Sequence, residues 1–366
     1  MATLKHITLT VSNDLVYDRR MQRIARTLQS GGYKVTLMGR CYHDSPALIP
    51  QEFNQVRLPH FFRRGKLFYL ELQIRLCFKL LFSRVDILCA IDLDTIIPTV
   101  VVGWLRGKKR VFDAHEYFTE VPELHNRPGS QKVWDALGKW AVPKMDLCYT
   151  VGPALANIFE KYYGVSFGII RNLPLKSGIS DVLPNLKHKV IWYQGALNRG
   201  RGLEEAIEVM FAFPGWSLWI AGEGDLSVSL REQVRKSGLD ERVRFLGWVN
   251  PDDLPGFAAS VSIGLNLLDG RSKSYYYSLA NKTMDYIQEG MPAIYMDFPE
   301  YQALAQEGQL GIGLKNLEIE SLADGLRQLM DPAAYQQCQE DLLRLRTALT
   351  WEQESRVLLN LYRQLG

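Results

Sequence analysis

The chain has 366 residues, 47% hydrophobic and 23% charged, with a formal charge of +3 and an isoelectric point near 8.5. That length exceeds what one hydrophobic core usually serves, and the composition is globular rather than disordered. The mild positive charge is too little concentrated to point to a nucleic-acid partner.

Five scattered cysteines (Cys41, Cys77, Cys89, Cys148, Cys338) form neither a C-x-x-C pair nor a zinc spacing, which favours reduced thiols in a cytoplasm. Met1 to His6 leads straight into strand-like sequence without the apolar core of a signal peptide. Thr95 to Leu105, the most apolar run, is half of the roughly 20 residues a bilayer span needs. The expectation is a cytoplasmic protein, or one peripheral on the inner face of the membrane.

In chain order, β-rich runs alternate with amphipathic ones, the pattern of βαβ units and a parallel sheet. Ile7 to Val11 reads as a strand and Arg19 to Ser30 as a helix stopped by Gly31-Gly32. Lys34 to Met38, Asp86 to Ile91, Arg110 to Phe112 and Asp146 to Val151 read as further strands. Asn172 to Pro184, marked by prolines and Ser177-Gly178, reads as a linker. The pattern restarts with strands at Val190–Tyr193, Trp216–Ala221, Arg242–Leu246, Val261–Asn266, Ala293–Met296 and Gly311–Leu314. Gly202 to Met210 reads as a helix. Helical sequence runs from Ala334, breaks near Thr350-Trp351 and resumes from Glu352 to Leu365. Two doubly wound halves of this kind would meet across a cleft at the carboxyl ends of their strands, where open α/β folds bind ligands. The expected division is 1–173, 174–348 and a last helix over 349–366.

The chemistry starts from what is missing. No G-x-G-x-x-G follows the first strand, which continues as Ser12-Asn13-Asp14; no P-loop Lys-Ser/Thr is present either, so NAD and ATP chemistry are disfavoured. After Val190–Tyr193 comes the glycine-rich loop Gln194-Gly195-Ala196-Leu197-Asn198-Arg199-Gly200-Arg201-Gly202. Glycines admit a phosphate close to the backbone and Arg201 offers a planar fork; a plain basic turn is the competing reading. Ser278 to Tyr286 places a capping serine before a helix that carries Lys282 and Asp285. This suits a diphosphate with a carboxylate near ribose hydroxyls, although an ordinary capped helix is the commoner meaning of such a stretch.

These stretches resemble the family-four retaining glycosyltransferases of the GT-B fold. Tyr193-Gln194-Gly195 through Glu204 is similar to the family's first donor-domain strand and loop. Leu218 to Gly224, which includes Glu223, and Val243 to Gly247 resemble its paired strands. Ser278 to Tyr286 with Gly290-Met291-Pro292-Ala293-Ile294 resembles its nucleotide signature. Asp113-Ala114-His115-Glu116 and Pro122-Glu123-Leu124 look like the branch with Asp-x-His-Glu in the cleft. The resemblance implies two Rossmann-like domains, the first for acceptor and the second for a UDP- or GDP-sugar, with the last helix returning to the first. Arg201 and Lys282, with the backbone near Leu279, Ala280 and Asn281, would hold the diphosphate. Gly195, Arg199, Gly202 and Glu223 would line the donor site, Asp285 would bind ribose, and His115 would face the sugar. The departing phosphate would take the acceptor's proton, giving retention without a cofactor or metal. One departure stands out: Tyr277, in Ser274-Tyr275-Tyr276-Tyr277, occupies the position of an acid that many members turn to the sugar.

Asn13, Asp14 and Glu116 are candidate acceptor contacts, although a polar turn explains Asn13 and Asp14 as well. Asp92-Leu93-Asp94 matches D-x-D, yet its strand-end position favours Asp94 as a helix cap over a metal ligand. No histidines pair at i, i+4 for zinc. His60 to Arg84 interleaves six basic residues with aromatics. It reads either as a buried crossover helix with a basic rim or as an amphipathic helix on an anionic membrane. The overall expectation is transfer of a hexose to a glycan or lipid-linked acceptor in polysaccharide synthesis. An epimerase of the same fold and a non-catalytic glycan- or membrane-binding protein are the alternatives.

Overall fold

A computed structural model describes residues 4–16, 18–121, 127–175 and 182–365. Its contacts divide into two units, one of residues 1–172 with 354–366 and one of residues 173–353.

The first unit contains β1 (His6–Thr10), α1 (Arg19–Ser30), β2 (Lys34–Cys41), β3 (Asn54–Pro59), α2 (Gly65–Leu81), β4 (Ile87–Ile91) and α3 (Ile96–Leu105). It continues with β5 (Lys109–Ala114), α4 (Pro128–Ala141), β6 (Leu147–Thr150), α5 (Pro153–Tyr163) and β7 (Phe167–Ile169). The strands form one parallel sheet in the order β3-β2-β1-β4-β5-β6-β7. Ile87 to Ile91 is buried throughout, as expected of a strand covered by helices on both faces. The edge strands β3 and β7 carry weaker apolar signals and are absent from the sequence expectation.

The second unit contains β8 (Val190–Gln194), α6 (Leu203–Glu208), β9 (Ser217–Ala221), α7 (Ser227–Lys236), β10 (Val243–Gly247), β11 (Ile263–Asn266) and α8 (Lys273–Tyr276). Then follow α9 (Asn281–Glu289), β12 (Ala293–Met296), α10 (Pro299–Ala305), β13 (Gly311–Leu314), α11 (Ile319–Leu329) and α12 (Pro332–Ala348). This sheet is also parallel, in the order β10-β9-β8-β11-β12-β13. Both sheets reverse their winding beside their first strand, between β1 and β4 and between β8 and β11. In an open α/β sheet the crevice at that point is the ligand site.

The last helix, α13 (Trp351–Arg363), begins in the second unit and seats its later turns on the first. A Cβ on Gly168 would lie 2.9 Å from Leu361 Cδ1, so a glycine is what admits the helix at β7. Tyr362 is buried against Tyr149 and Tyr33, with ring centroids 6.3 Å apart in each pair. Glu354 accepts the backbone N–H of Arg171 at 2.6 Å.

Two local expectations are corrected. Ser278 does not cap α9: its hydroxyl donates to the Tyr275 carbonyl and closes the short α8, while Ala280 takes the cap position without a side-chain bond. Asp94 does not cap a helix either; it lies within a 3-10 turn, Leu93–Thr95, and its carboxylate bonds Ser12 instead. Pro122-Glu123-Leu124, His125 and Ser177-Gly178 fall outside the described residues.

Candidate functional site

In the first unit, the loops after β1, β4 and β5 bring together groups from distant parts of the chain. Asp113, next to last in β5, has no solvent exposure, and its carboxylate accepts from Arg20 Nη2, on the first turn of α1, at 3.2 Å. The other Asp113 oxygen lies 3.1 Å from His115 Nε2. Asp92, after β4, accepts the His115 backbone N–H at 2.8 Å and stands 3.8 Å from its Nδ1.

The electrostatics follow from that enclosure. Burial opposes a charged His115, yet Asp113 and Asp92 outweigh it and pull the imidazole up to about 9. Burial would raise Asp113, but His115 and Arg20 hold it below the usual carboxylate range. Asp92 is pushed up to about 8, first by burial and then by Glu116 and Asp94; burial also lifts Asp94 to about 6. The D-x-D carboxylates therefore serve a histidine and a serine, and among the described residues no cluster of three potential ligands gathers for a metal. The carboxylates of Asp113 and Asp92 thus favour the charged form of the His115 imidazole, 22% of whose side chain is open to solvent.

The acceptor candidates are placed unequally. Asp14 is buried, paired with Arg57 at 2.8 Å and accepting the Val16 N–H at 3.3 Å. Asn13 is exposed and donates to Asp18, which caps α1 by accepting the Met21 N–H. Glu116 is exposed beside His115.

In the second unit, the loops after β8, β9 and β10 are joined by backbone bonds, from Gly195 N–H to Ala221 and from Gly222 N–H to Gly247. Gly222 (φ +145°) packs so closely that a Cβ there would meet the Gly195 carbonyl oxygen at 1.9 Å. Onto this platform the first turn of α9 delivers Lys282, 5% exposed, with Nζ 3.7 Å above the Tyr193 ring. Among the described residues its ammonium has no hydrogen-bond partner. Arg201 sits over the Tyr275 ring at 5.1 Å, and its buried Nε likewise lacks a partner. Burial, and then the charge of Arg201, drive Lys282 well below an ordinary lysine, against the opposing charge of Asp285. Asp285 is gripped by Gln194 Nε2 at 2.6 Å, and Gln194 by the Trp192 indole N–H at 2.9 Å.

The structure thus brings Arg201, Lys282, Gly195 and Asp285 together, and adds Tyr193, Gln194 and Tyr275, which stood within the motifs without a role of their own. The Ala280 N–H is occupied by the Tyr301 hydroxyl at 3.0 Å, and Leu279 packs on the core. Glu223 is bound to Arg231 at 2.8 Å; Arg199 and Asn281 are exposed and Gly202 is the N-cap of α6. A buried lysine and a half-buried arginine thus face aromatic rings rather than acids at the winding reversal of a Rossmann-like sheet, an arrangement whose charge a compact polyanion would satisfy.

The comparisons agree with this class. The family described as "Glycosyltransferase Family 4" matches residues 18–174, and "Glycosyl transferases group 1" matches residues 188–332. The lipopolysaccharide core biosynthesis glycosyltransferase LpsE of Rhizobium meliloti is 25% identical over 141 residues, 38% of this chain and 39% of that protein. The match therefore spans well under half of the relative. Sucrose-phosphate synthase from Thermosynechococcus elongatus superposes with a TM-score of 0.79 at 16% identity, covering 99% of both chains. Anabaena HepE, solved with UDP and glucose, superposes at 0.73 with 13% identity over 98% of both. The fold is that of the GT-B glycosyltransferases, two Rossmann-like domains in one chain. Within that class the chain belongs to the family-four glycosyltransferases.

Proposed function

We propose that the chain moves a hexose from a UDP-sugar to a hydroxyl of a cell-surface glycan or its lipid-linked precursor, with retention and without a metal ion. The observation that carries this is the pair Lys282 and Arg201: a buried ammonium and a half-buried guanidinium with a buried Nε, neither paired with an acid, are costly until an anion arrives, and a diphosphate answers both. Such a pair does for the departing diphosphate what a divalent ion does elsewhere, stabilising the charge that develops on it. The bound ligands named for HepE, UDP and UDP-glucose, favour uridine over guanosine. The lipopolysaccharide roles named for LpsE and for the galactosyltransferase WaaB favour a glycan of the cell envelope as acceptor.

In this reading Asp285, oriented by Gln194, binds the ribose hydroxyls. The protonated His115 donates to the sugar, and the leaving phosphate takes the acceptor's proton on the face of departure. The test is a thermal-shift series with UDP, GDP, ADP, CMP and their sugars, with and without EDTA. Mass action raises the melting temperature for a ligand that binds only the native state. A shift specific to uridine nucleotides and indifferent to EDTA is expected, and Arg201→Ala should weaken binding by about 1.5–3 kcal/mol. No shift with any nucleotide would remove the donor site; a shift abolished by EDTA would remove metal independence.

A further inference from the structure

We infer that the outward face of α2 is a docking surface for an anionic lipid bilayer. The helix carries two apolar stripes. Phe68, Leu72, Leu76 and Leu80 are buried in the first unit, as a crossover helix requires. Leu67, Leu70, Ile74, Phe78 and Leu81 recur at spacings of three and four on another face and are exposed, Phe78 by 63%. From Leu67 to Leu81 this stripe runs about 21 Å along the helix. Phe61 (83% exposed) and Phe82 (81%) extend it at the two ends. An open groove of about 730 Å³ runs along it, lined by Phe62, Ile74, Phe78 and their neighbours. At the far end Arg106 donates to the carbonyls of Leu80 and Ser83, tying the end of α3, where Trp104 and Leu105 are exposed, to the end of α2. A continuous apolar surface of this extent is unusual on a protein without a partner for it.

The charge around it selects the partner. Glu71, the one acid of the helix, is consumed by Arg75 and by the N–H groups of Phe61 and Phe62. Among the described residues, Arg64, Lys66, Lys79 and Arg84 have no ion-pair partner. Aromatic and aliphatic side chains flanked by uncompensated cations match an anionic headgroup layer above acyl chains. A second copy of this chain fits poorly, because a symmetric contact would set the same cations against one another.

Flotation of the full chain with vesicles tests this independently of the donor site. Binding is expected to phosphatidylcholine mixed with phosphatidylglycerol, not to phosphatidylcholine alone, and to weaken with salt. Phe78→Asp should lower partitioning by more than about tenfold, and Lys66→Gln and Lys79→Gln by about fivefold each. The UDP-induced thermal shift should be the same in all variants, so that failure here leaves the donor reading untouched. A wild-type chain that stays unbound, binds both vesicle types equally, or floats no better than Phe78→Asp would overturn the inference. So would a dimer in sedimentation that Phe78→Asp disperses, without vesicle binding.

Discussion

Lys282→Met should change stability and ligand affinity in opposite directions. Without ligand, Lys282 holds its ammonium in a buried place with one aromatic ring and a like-charged neighbour. A methionine of similar length removes that charge and keeps the packing. The free variant should therefore be more stable than the wild type, by on the order of 1 kcal/mol. Binding should move the other way: losing a charge-assisted bond to phosphate costs about 1.5–3 kcal/mol, which is about 10- to 150-fold in Kd. The pH dependence follows with a definite sign. Because burial depresses the native ammonium, the unfolded chain binds the proton more readily, and stability rises with pH between that depressed value and the ordinary 10.5. The methionine variant should lack this rise. A diphosphate favours the charged lysine, so UDP affinity should fall as pH climbs through the same window. Urea unfolding and titration calorimetry across pH measure both. Undiminished UDP affinity in Lys282→Met, or a free variant less stable than the wild type, would refute the reasoning.

The His115 assembly predicts a further pH effect. Its imidazole is raised above the usual 6.5 to about 9, so its pairing contributes stability in full below about 6.5 and loses it as pH rises through 9. Asp113→Asn removes the strongest carboxylate, so burial should pull the imidazole back down, at a cost of about 3–5 kcal/mol for the stranded Arg20. Ring resonances of His115 that titrate as in the wild type would contradict this. Gly222→Ala puts a methyl into the Gly195 carbonyl at a positive φ; a loss of about 1–3 kcal/mol in urea unfolding and weaker nucleotide binding are expected, and an unaltered variant would show that the loops have room to part.

The inner strands were legible because burial on both faces writes uninterrupted apolar runs such as Ile87 to Ile91; Ala293–Met296, and Gly311–Leu314 at an edge of the second sheet, were located to the residue. The edge strands of the first sheet were not: Asn54–Pro59 is half polar and ends in proline, and Phe167–Ile169 is three residues around a glycine. Arg201 and Lys282 stood out because glycine loops and helix starts announce anion chemistry locally. Their surroundings did not. Tyr193 looks like core until Lys282 is seen above its ring, and Arg20 looks like a surface helix residue until β5 brings Asp113 against it across 93 positions of sequence. Ser278 and Asp94 misled for the same reason: composition marks both as helix caps, but backbone path gives each a different partner.

The seating of α13 bears on how the molecule is made. Residues 354–366 belong to the first unit but leave the ribosome after all of residues 173–353. Until then Gly168 faces an empty seam and Tyr149 lacks the ring that covers it. The second unit, contiguous in sequence, can reach its native packing first, while the earlier-synthesised one waits with apolar surface uncovered. Completion of the first unit thus waits on residues made after the second, and a truncation that removes the last helix should do its damage in the unit that comes first in sequence.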